Sequence, residues 1–341
     1  MFWPGVCAGS DHVGGRLMVR CAIVGLGRWG QTLVNSVQGK SDKIRFVRGV
    51  TRTPRNAATF AADHGFPLDS DYEAALADPK VDAVVLATPH SVHAAQILAA
   101  AKAKKHIFVD KPVTITRESA VKSVQAAKKS NVVLAAGHNR RFLPSLHEMK
   151  RLIDDGALGT ILHLEGNTSG PGGFRYRKGM WRADPTESPA GGMGGSGIHT
   201  VDSMIFLVGH IASIQVSSFR LVLDVALDDT TSMLFRFKNK MSGYLACLQA
   251  TAPAQRLTVF GSKGWAELKG ETELTVCLVD GQPKTRNFPS VNKERAELEA
   301  FAAAVNRGVP YPVPLDDVVH GVACFEAIGK SAKSGDLIKV K

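Results

Sequence analysis

The chain has 341 residues, more than a single core usually organises, so two domains are expected. Hydrophobic residues make up 44% and charged residues 21%, which excludes a largely disordered polypeptide. The formal charge of +11 is scattered and never forms a basic block interleaved with aromatics, so no nucleic-acid partner is expected; the excess suits anionic small molecules.

Residues 1–17 are glycine-rich and aperiodic and read as a loose tail, with Met18 a second candidate start. The five cysteines, Cys7, Cys21, Cys247, Cys277 and Cys324, are widely spaced and lack a C-x-x-C pair, so reduced thiols in a cytoplasm are expected and no metal site. No apolar run is long enough to cross a bilayer and no leader pattern opens the chain, so no membrane association is expected.

From residue 18 strands and helices alternate. Apolar runs at 21–24, 46–50, 83–87, 107–109 and 132–136 read as strands with helical patterns between them, the signature of a parallel sheet covered on both faces. Thr53-Pro54 opens one helix and Gly65 closes it; Ser70-x-x-Glu73 fits a capping box for the next. A helix over 91–104 ends in lysines that suit the carbonyl end of its dipole. After 139–142 the rhythm changes. A helix at 144–158 leads into a glycine-rich stretch at 166–197, then strand-like runs follow at 214–223, 233–237, 244–248, 257–260 and 274–279. Helices near 293–306 and 315–330 close the chain. The fold class expected is α/β: a Rossmann dinucleotide-binding domain over 18–142, then an α+β domain over 143–341 with an open, mainly antiparallel sheet.

Gly25-Leu26-Gly27-Arg28-Trp29-Gly30 stands directly after a predicted strand and before the helical stretch 31–37. In that context the glycines are a dinucleotide fingerprint: the first turns the chain, the second admits the pyrophosphate, the third lets helix and strand pack, and the helix start offers unpaired amides. The second strand should end near Thr51, where an acidic residue would take the ribose hydroxyls of NAD. The sequence there is Thr51-Arg52-Thr53-Pro54-Arg55, so Thr51, Arg52 and Arg55 favour NADP over NAD by offering bidentate contacts to a 2′-phosphate.

Further motifs follow in a fixed order: Thr88-Pro89-His90 with His93, then Asp110-Lys111-Pro112, Gly137-His138-Asn139-Arg140-Arg141-Phe142, Trp181-Arg182, and Gly191-Gly192 before Gly197-x-His199-x-x-Asp202. With the fingerprint, this order resembles the Gfo/Idh/MocA family, named for glucose-fructose oxidoreductase, inositol dehydrogenase and a rhizopine-catabolism protein. The resemblance runs from about residue 19 to the end. It implies that Lys111 lies beside the nicotinamide and takes part in proton transfer, with Asp110 replacing the usual glutamate. It implies a cis peptide before Pro112, and a cofactor lined by Thr88, Pro89, His90, His93, Asp110 and Asn139.

His199 and Asp202, three apart at the start of a predicted helix, should share a face. His199 is expected to bond or relay a proton to the substrate oxygen, with Asp202 orienting it or binding a hydroxyl. Many relatives carry an aspartate four residues before this histidine; here that place is Gly195. Tyr176, Arg175 and Arg182 read equally as substrate-gripping or as solvated loop residues. His90 and His93 lack a third ligand, so no metal is expected. The expected activity is hydride transfer between NADP or NAD and a sugar, polyol or related hydroxy or oxo compound. A non-catalytic dinucleotide sensor, and transient hydride transfer serving elimination or hydrolysis, are the alternatives. An open sheet face invites association, so a homodimer or homotetramer through the second domain's sheet is expected.

Overall fold

The computed structural model describes residues 18–341; the expected tail at 1–17 lies outside them. The first sheet has six parallel strands: β1 (Val19–Val24), β2 (Ile44–Val50), β3 (Leu68–Asp69), β4 (Ala83–Leu86), β5 (His106–Val109) and β6 (Leu134–Ala136), in the order β3-β2-β1-β4-β5-β6. That order reverses direction at β1, and the crevice beyond the carboxyl ends of β1 and β4 is where such sheets bind ligands. Helices α1 (Arg28–Val37), α2 (Ala58–Asp63), α3 (Tyr72–Ala77), α4 (His90–Lys102) and α5 (Arg117–Ser130) connect the strands. The four residues of β4 are all buried, which is why this strand reads as an unbroken apolar run.

Two local expectations are refined. Asp71, rather than Ser70, caps α3, accepting the Ala74 amide at 3.0 Å. Pro54 opens a short 3-10 turn over Pro54–Asn56, and α2 follows it before Gly65 closes the segment at φ +71°.

Helix α6 (Pro144–Asp154) leads to the second sheet, built from β7 (Ile161–Ser169), β8 (Ile211–Phe219), β9 (Thr230–Phe237), β10 (Ser242–Leu248), β11 (Ala254–Gly261), β12 (Gly264–Lys269), β13 (Glu273–Leu278), β14 (Lys284–Asn287) and β15 (Ile338–Lys339). Its order is β14-β13-β12-β11-β7-β10-β9-β8-β15, antiparallel except where β7 lies parallel to β10. Helix α7 (Gly197–Val208) lies on one face of this sheet, where Ile198, Val201, Met204 and Ile205 join Leu164, Phe235 and Leu245 in one core.

Helices α8 (Lys293–Arg307) and α9 (Leu315–Ser334) depart from the expected domain division. From α8, Leu298, Phe301 and Ala302 are buried with Leu33, Phe46 and Phe108 of the first domain. A fully buried Leu or Phe contributes about 1.5–3 kcal/mol, enough to fix α8 against that sheet. From α9, Val318 and Val322 enter the first domain's other core while Cys324, Phe325 and Ile328 enter the second domain's. The C-terminal helices therefore bind both units together. Among the described residues no helix is long and apolar enough to cross a membrane.

Candidate active site

The fingerprint glycines sit between β1 and α1, and each has its own steric reason. Gly25 has φ +95°, and a Cβ there would meet the Ala87 carbonyl oxygen at 2.6 Å. A Cβ on Gly30 would fall 1.9 Å from the Gly25 carbonyl oxygen, so only glycine lets α1 start this close to the turn. Gly27 differs: it is exposed, its φ of −70° suits any residue, and nothing lies within 4 Å of its Cβ position. The space above Gly27 is thus open, and α1 begins there with no side-chain cap and no acidic residue in its first turn. Uncapped amides at the positive end of a helix dipole suit a pyrophosphate.

Around this cradle the expected cofactor residues divide. Arg28 is exposed, Trp29 is half-buried with its Nε1 unpartnered, and Arg52 and Arg55 are exposed at the end of β2 with no carboxylate partner among the described residues. Asp69, whose backbone carbonyl receives the Thr51 amide at 3.0 Å, has its carboxylate engaged by Arg48 at 2.5 and 3.1 Å. Thr88 and Pro89 are half-buried at the mouth between β4 and α4, with Thr88 Oγ1 donating to Gln96 Oε1.

His93 does not meet the expectation of a cofactor contact. It is completely buried, with Nδ1 3.0 Å from the Pro112 carbonyl oxygen and Nε2 3.0 Å from that of Thr88. Burial favours the neutral imidazole, whose single N–H can donate to only one of these carbonyls, and the ring is packed between the loop after β4 and the loop after β5. His90 is also buried, edge-on to Trp181 at 5.1 Å with Nδ1 bonded to the Glu187 carbonyl, and burial pushes its pKa down to about 3. Asn139 is buried as well, its Nδ2 donating to Glu294 Oε1 at 2.9 Å.

Lys111 follows β5 and is 6% exposed, with the Lys111–Pro112 peptide cis as expected. Its Nζ donates to two successive carbonyls, Gly194 at 3.2 Å and Gly195 at 2.9 Å. These come from the glycine-rich turn before α7, so the second domain holds the amine of the first. Burial lowers the Lys111 pKa below its ordinary 10.5, against the pull of Asp110 and with help from Arg182 and Arg140. A neutral amine has two N–H groups; with both on carbonyls, its lone pair is left for a proton.

His199, in the first turn of α7, has a buried Nδ1 with no protein partner, and burial together with Lys111 and Arg140 drives its pKa well below the ordinary value. That direction favours the neutral imidazole, in a residue that is half-buried beside the glycine-rich turn. Asp202 is not its partner, contrary to the shared-face expectation. The Asp202 carboxylate is 2% exposed and is clamped by Arg141, which donates through Nε at 3.0 and 3.1 Å and through Nη2 at 2.7 Å. A buried guanidinium 61 residues upstream outcompetes a histidine one helical turn away, because a desolvated ion pair needs both charges.

Tyr176 is half-buried, and its hydroxyl is the nearest atom, at 3.7 Å, to a Cβ placed on Gly195. A Cβ at position 195 would make only ordinary contacts, and the Tyr176 phenol faces it. Arg182 is half-buried with its guanidinium 4.1 Å over the Trp181 ring, and burial lowers its pKa, countered by Asp110. Arg175 is exposed.

Sequence reasoning missed Glu187. Its buried carboxylate accepts from the Ser91 amide at 3.1 Å and from the Ser91 hydroxyl, so the second domain supplies an anionic cap to α4. No local pattern announces a cap that lies 96 residues away. Among the described residues no group of three His, Cys, Asp or Glu side chains is placed to hold a metal.

An uncapped helix start over a glycine floor, in the same domain as a buried lysine at the end of β5 that a turn of the second domain holds, is the arrangement of a dinucleotide-dependent oxidoreductase. The chain belongs to the Gfo/Idh/MocA oxidoreductases: residues 19–138 match the family's NAD-binding Rossmann fold and residues 146–267 match its C-terminal domain. It is 26% identical to the myo-inositol 2-dehydrogenase of Thermotoga maritima over 95% of this chain and 99% of that protein. It superposes on the crystal structure of an oxidoreductase from Desulfitobacterium hafniense with a TM-score of 0.88 at 25% identity, covering 94% and 97% of the two chains. Levoglucosan dehydrogenase in complex with NADH and L-sorbose shares the fold, with a TM-score of 0.84 at 22% identity over 96% of this chain and all of that one.

Proposed function

We propose that the protein oxidises a carbinol of a sugar or polyol, or reduces the matching carbonyl, with Lys111 as the proton-transferring group. The observation that carries this reading is the Lys111 amine held by two carbonyls at the carboxyl end of β5, buried and short of its usual basicity. A bound nicotinamide supplies the hydride acceptor in one direction and the donor in the other. Gly27, the α1 amides, Arg28 and Thr88 would hold it. Lys111 takes the hydroxyl proton as the carbinol is oxidised and returns it in reduction. His199, half-buried with Nδ1 inward, would bond the same oxygen through Nε2, and Tyr176 and Arg182 would bind neighbouring hydroxyls. The T. maritima relative's action on myo-inositol supports a polyol or sugar as the substrate class. Turnover of NADPH or NADH across a panel of inositols, aldoses and sugar acids tests the activity. Tight dinucleotide binding with no turnover on any member would instead favour the sensor reading.

For the cofactor we propose NADP over NAD. Arg52 and Arg55 stand exposed at the end of β2, and no free carboxylate accompanies them in that segment. Charge-assisted bonds to a 2′-phosphate make Arg52→Asp an informative change: NADPH affinity should fall roughly tenfold relative to NADH. An unchanged ratio of the two dissociation constants would count against the assignment.

The outer face of the second sheet leaves Leu162 54% and Leu234 62% exposed. We propose that a second copy of the chain covers this face, as a dimer or tetramer. Sedimentation at micromolar concentration should give a multiple of 36.5 kDa, and a monomer would refute the interface.

A further inference from the structure

Behind Lys111, away from the glycine-rich turn, lies a group of buried polar atoms that the residues so far described do not use. Glu297 of α8 is 2% exposed, and its Oε2 has no hydrogen-bond partner. That oxygen lies 3.2 Å from the position a Cβ would take on Gly137, the residue that leaves β6 and donates its amide to Val109 at the end of β5. Glu297 is therefore lodged beneath the strand ends that carry Asp110 and Lys111. Three more buried atoms nearby in the fold make no hydrogen bond: Asn139 Oδ1, the Tyr311 hydroxyl and His138 Nδ1, the last standing 3.6 Å from Asp202 Oδ2. Burial, with Asp110 and Glu294 as like-charged neighbours, raises the Glu297 pKa well above the ordinary value; burial with Glu297 and Asp202 does the same for Tyr311. That direction favours the protonated carboxyl and the protonated phenol. Native proteins rarely leave buried polar groups unpaired, and ordered internal water is the usual partner when protein supplies none.

We propose that Glu297 is a proton-relay group serving Lys111 from behind, joined to it and to Tyr311 by internal water. The inference rests on the reading of Lys111 as the proton-transferring amine. In the oxidative direction the substrate O–H bond breaks and its proton goes to Lys111 Nζ, while the C–H pair leaves as hydride to the nicotinamide. The ammonium, turned in towards the protein by the Gly194–Gly195 turn, then gives up one of its two carbonyl-bonded protons to internal water, which leaves the neutral amine for the next cycle. Glu297 accepts a proton on one carboxyl oxygen and releases one from the other, ending neutral as it began. The Tyr311 hydroxyl, also buried and without a hydrogen-bond partner, is the next donor and acceptor on the route. Reduction runs the same path inward.

The test uses the full-length protein and the variants Glu297→Gln and Tyr311→Phe, which preserve volume and remove only the relayed proton. Infrared spectroscopy at neutral pH should show a protonated-carboxyl C=O band in the wild type that Glu297→Gln removes. A high-resolution crystal structure should show water on Glu297 Oε2 and the Tyr311 hydroxyl. On the panel substrate that turns over, each variant should lose kcat by about tenfold with a larger solvent isotope effect, while KM and dinucleotide affinity stay within about twofold. An ionised Glu297 or dry Oε2 overturns the relay whether or not turnover is found. So does a Glu297→Gln enzyme with wild-type kcat and isotope effect where Lys111→Met is inactive. Should Lys111→Met itself remain active, the reading of Lys111 fails instead, and the relay with it.

Discussion

Lys111→Met should lower kcat by about 10²–10⁴-fold while leaving dinucleotide affinity within a few-fold of wild type. Methionine fills the same slender channel, so the loss would report the amine rather than a cavity. The amine is buried, its two hydrogen bonds fix its direction, and its pKa lies below 10.5, so at neutral pH it exists as base more often than a surface lysine does. The pH profile carries the sign. Oxidation needs the neutral amine and should rise with pH until it levels above the Lys111 pKa; reduction needs the ammonium and should fall over the same range. Steady-state kinetics of the two proteins in both directions check this. Loss of cofactor binding in the variant, with kcat preserved at saturation, would recast Lys111 as a cofactor clamp.

Asp202→Ala should destabilise the fold by about 3–5 kcal/mol, because removing one partner of a buried pair strands the other charge. Arg141 is 2% exposed and would keep only Asp317, whose side chain is 22% exposed, so the lower end of that range is expected. The pair also joins the turn after β6 to α7, the helix that carries His199. Chemical denaturation of wild type and variant measures the effect. If the midpoint stayed unchanged while kcat disappeared, Asp202 would belong to the catalytic set after all.

The first domain was legible because parallel strands buried on both faces appear as short apolar runs, and because the fingerprint glycines have reasons that context alone supplies. The second sheet was legible only in part. Its central strand β7 escaped notice since its inward positions are Leu164, Gly166 and Thr168, one apolar residue among three. Gly166 leaves room for the ends of the Leu245, Met204 and Thr200 side chains, which approach its Cβ position to about 3 Å, a packing feature with no sequence signature. Boundaries failed for a related reason: α8 lies after the second sheet in the chain yet packs on the first.

At the site, Lys111 and His199 were singled out by motif; in the structure the Lys111 amine is held by the glycine-rich turn that precedes α7, and His199 lies in the first turn of that helix with Nδ1 unbonded. Asp202 and His93 were assigned by spacing and by motif; in the structure the Asp202 carboxylate is held by Arg141, 61 residues upstream, and the His93 imidazole lies between the Thr88 and Pro112 carbonyls. Helical periodicity tells which residues share a face. It does not tell what that face meets. Glu187 and Glu297 were invisible for the same reason, being single carboxylates whose surroundings come from other elements.

Titration of the purified protein with NADPH and with NADH, followed by cofactor fluorescence, addresses the central claim most directly. Saturable binding of one dinucleotide per chain is predicted, tighter for NADPH and lost when Gly27 is replaced by valine in a protein that still folds. Failure of both dinucleotides to bind, or undiminished binding by the Gly27→Val protein, would contradict it.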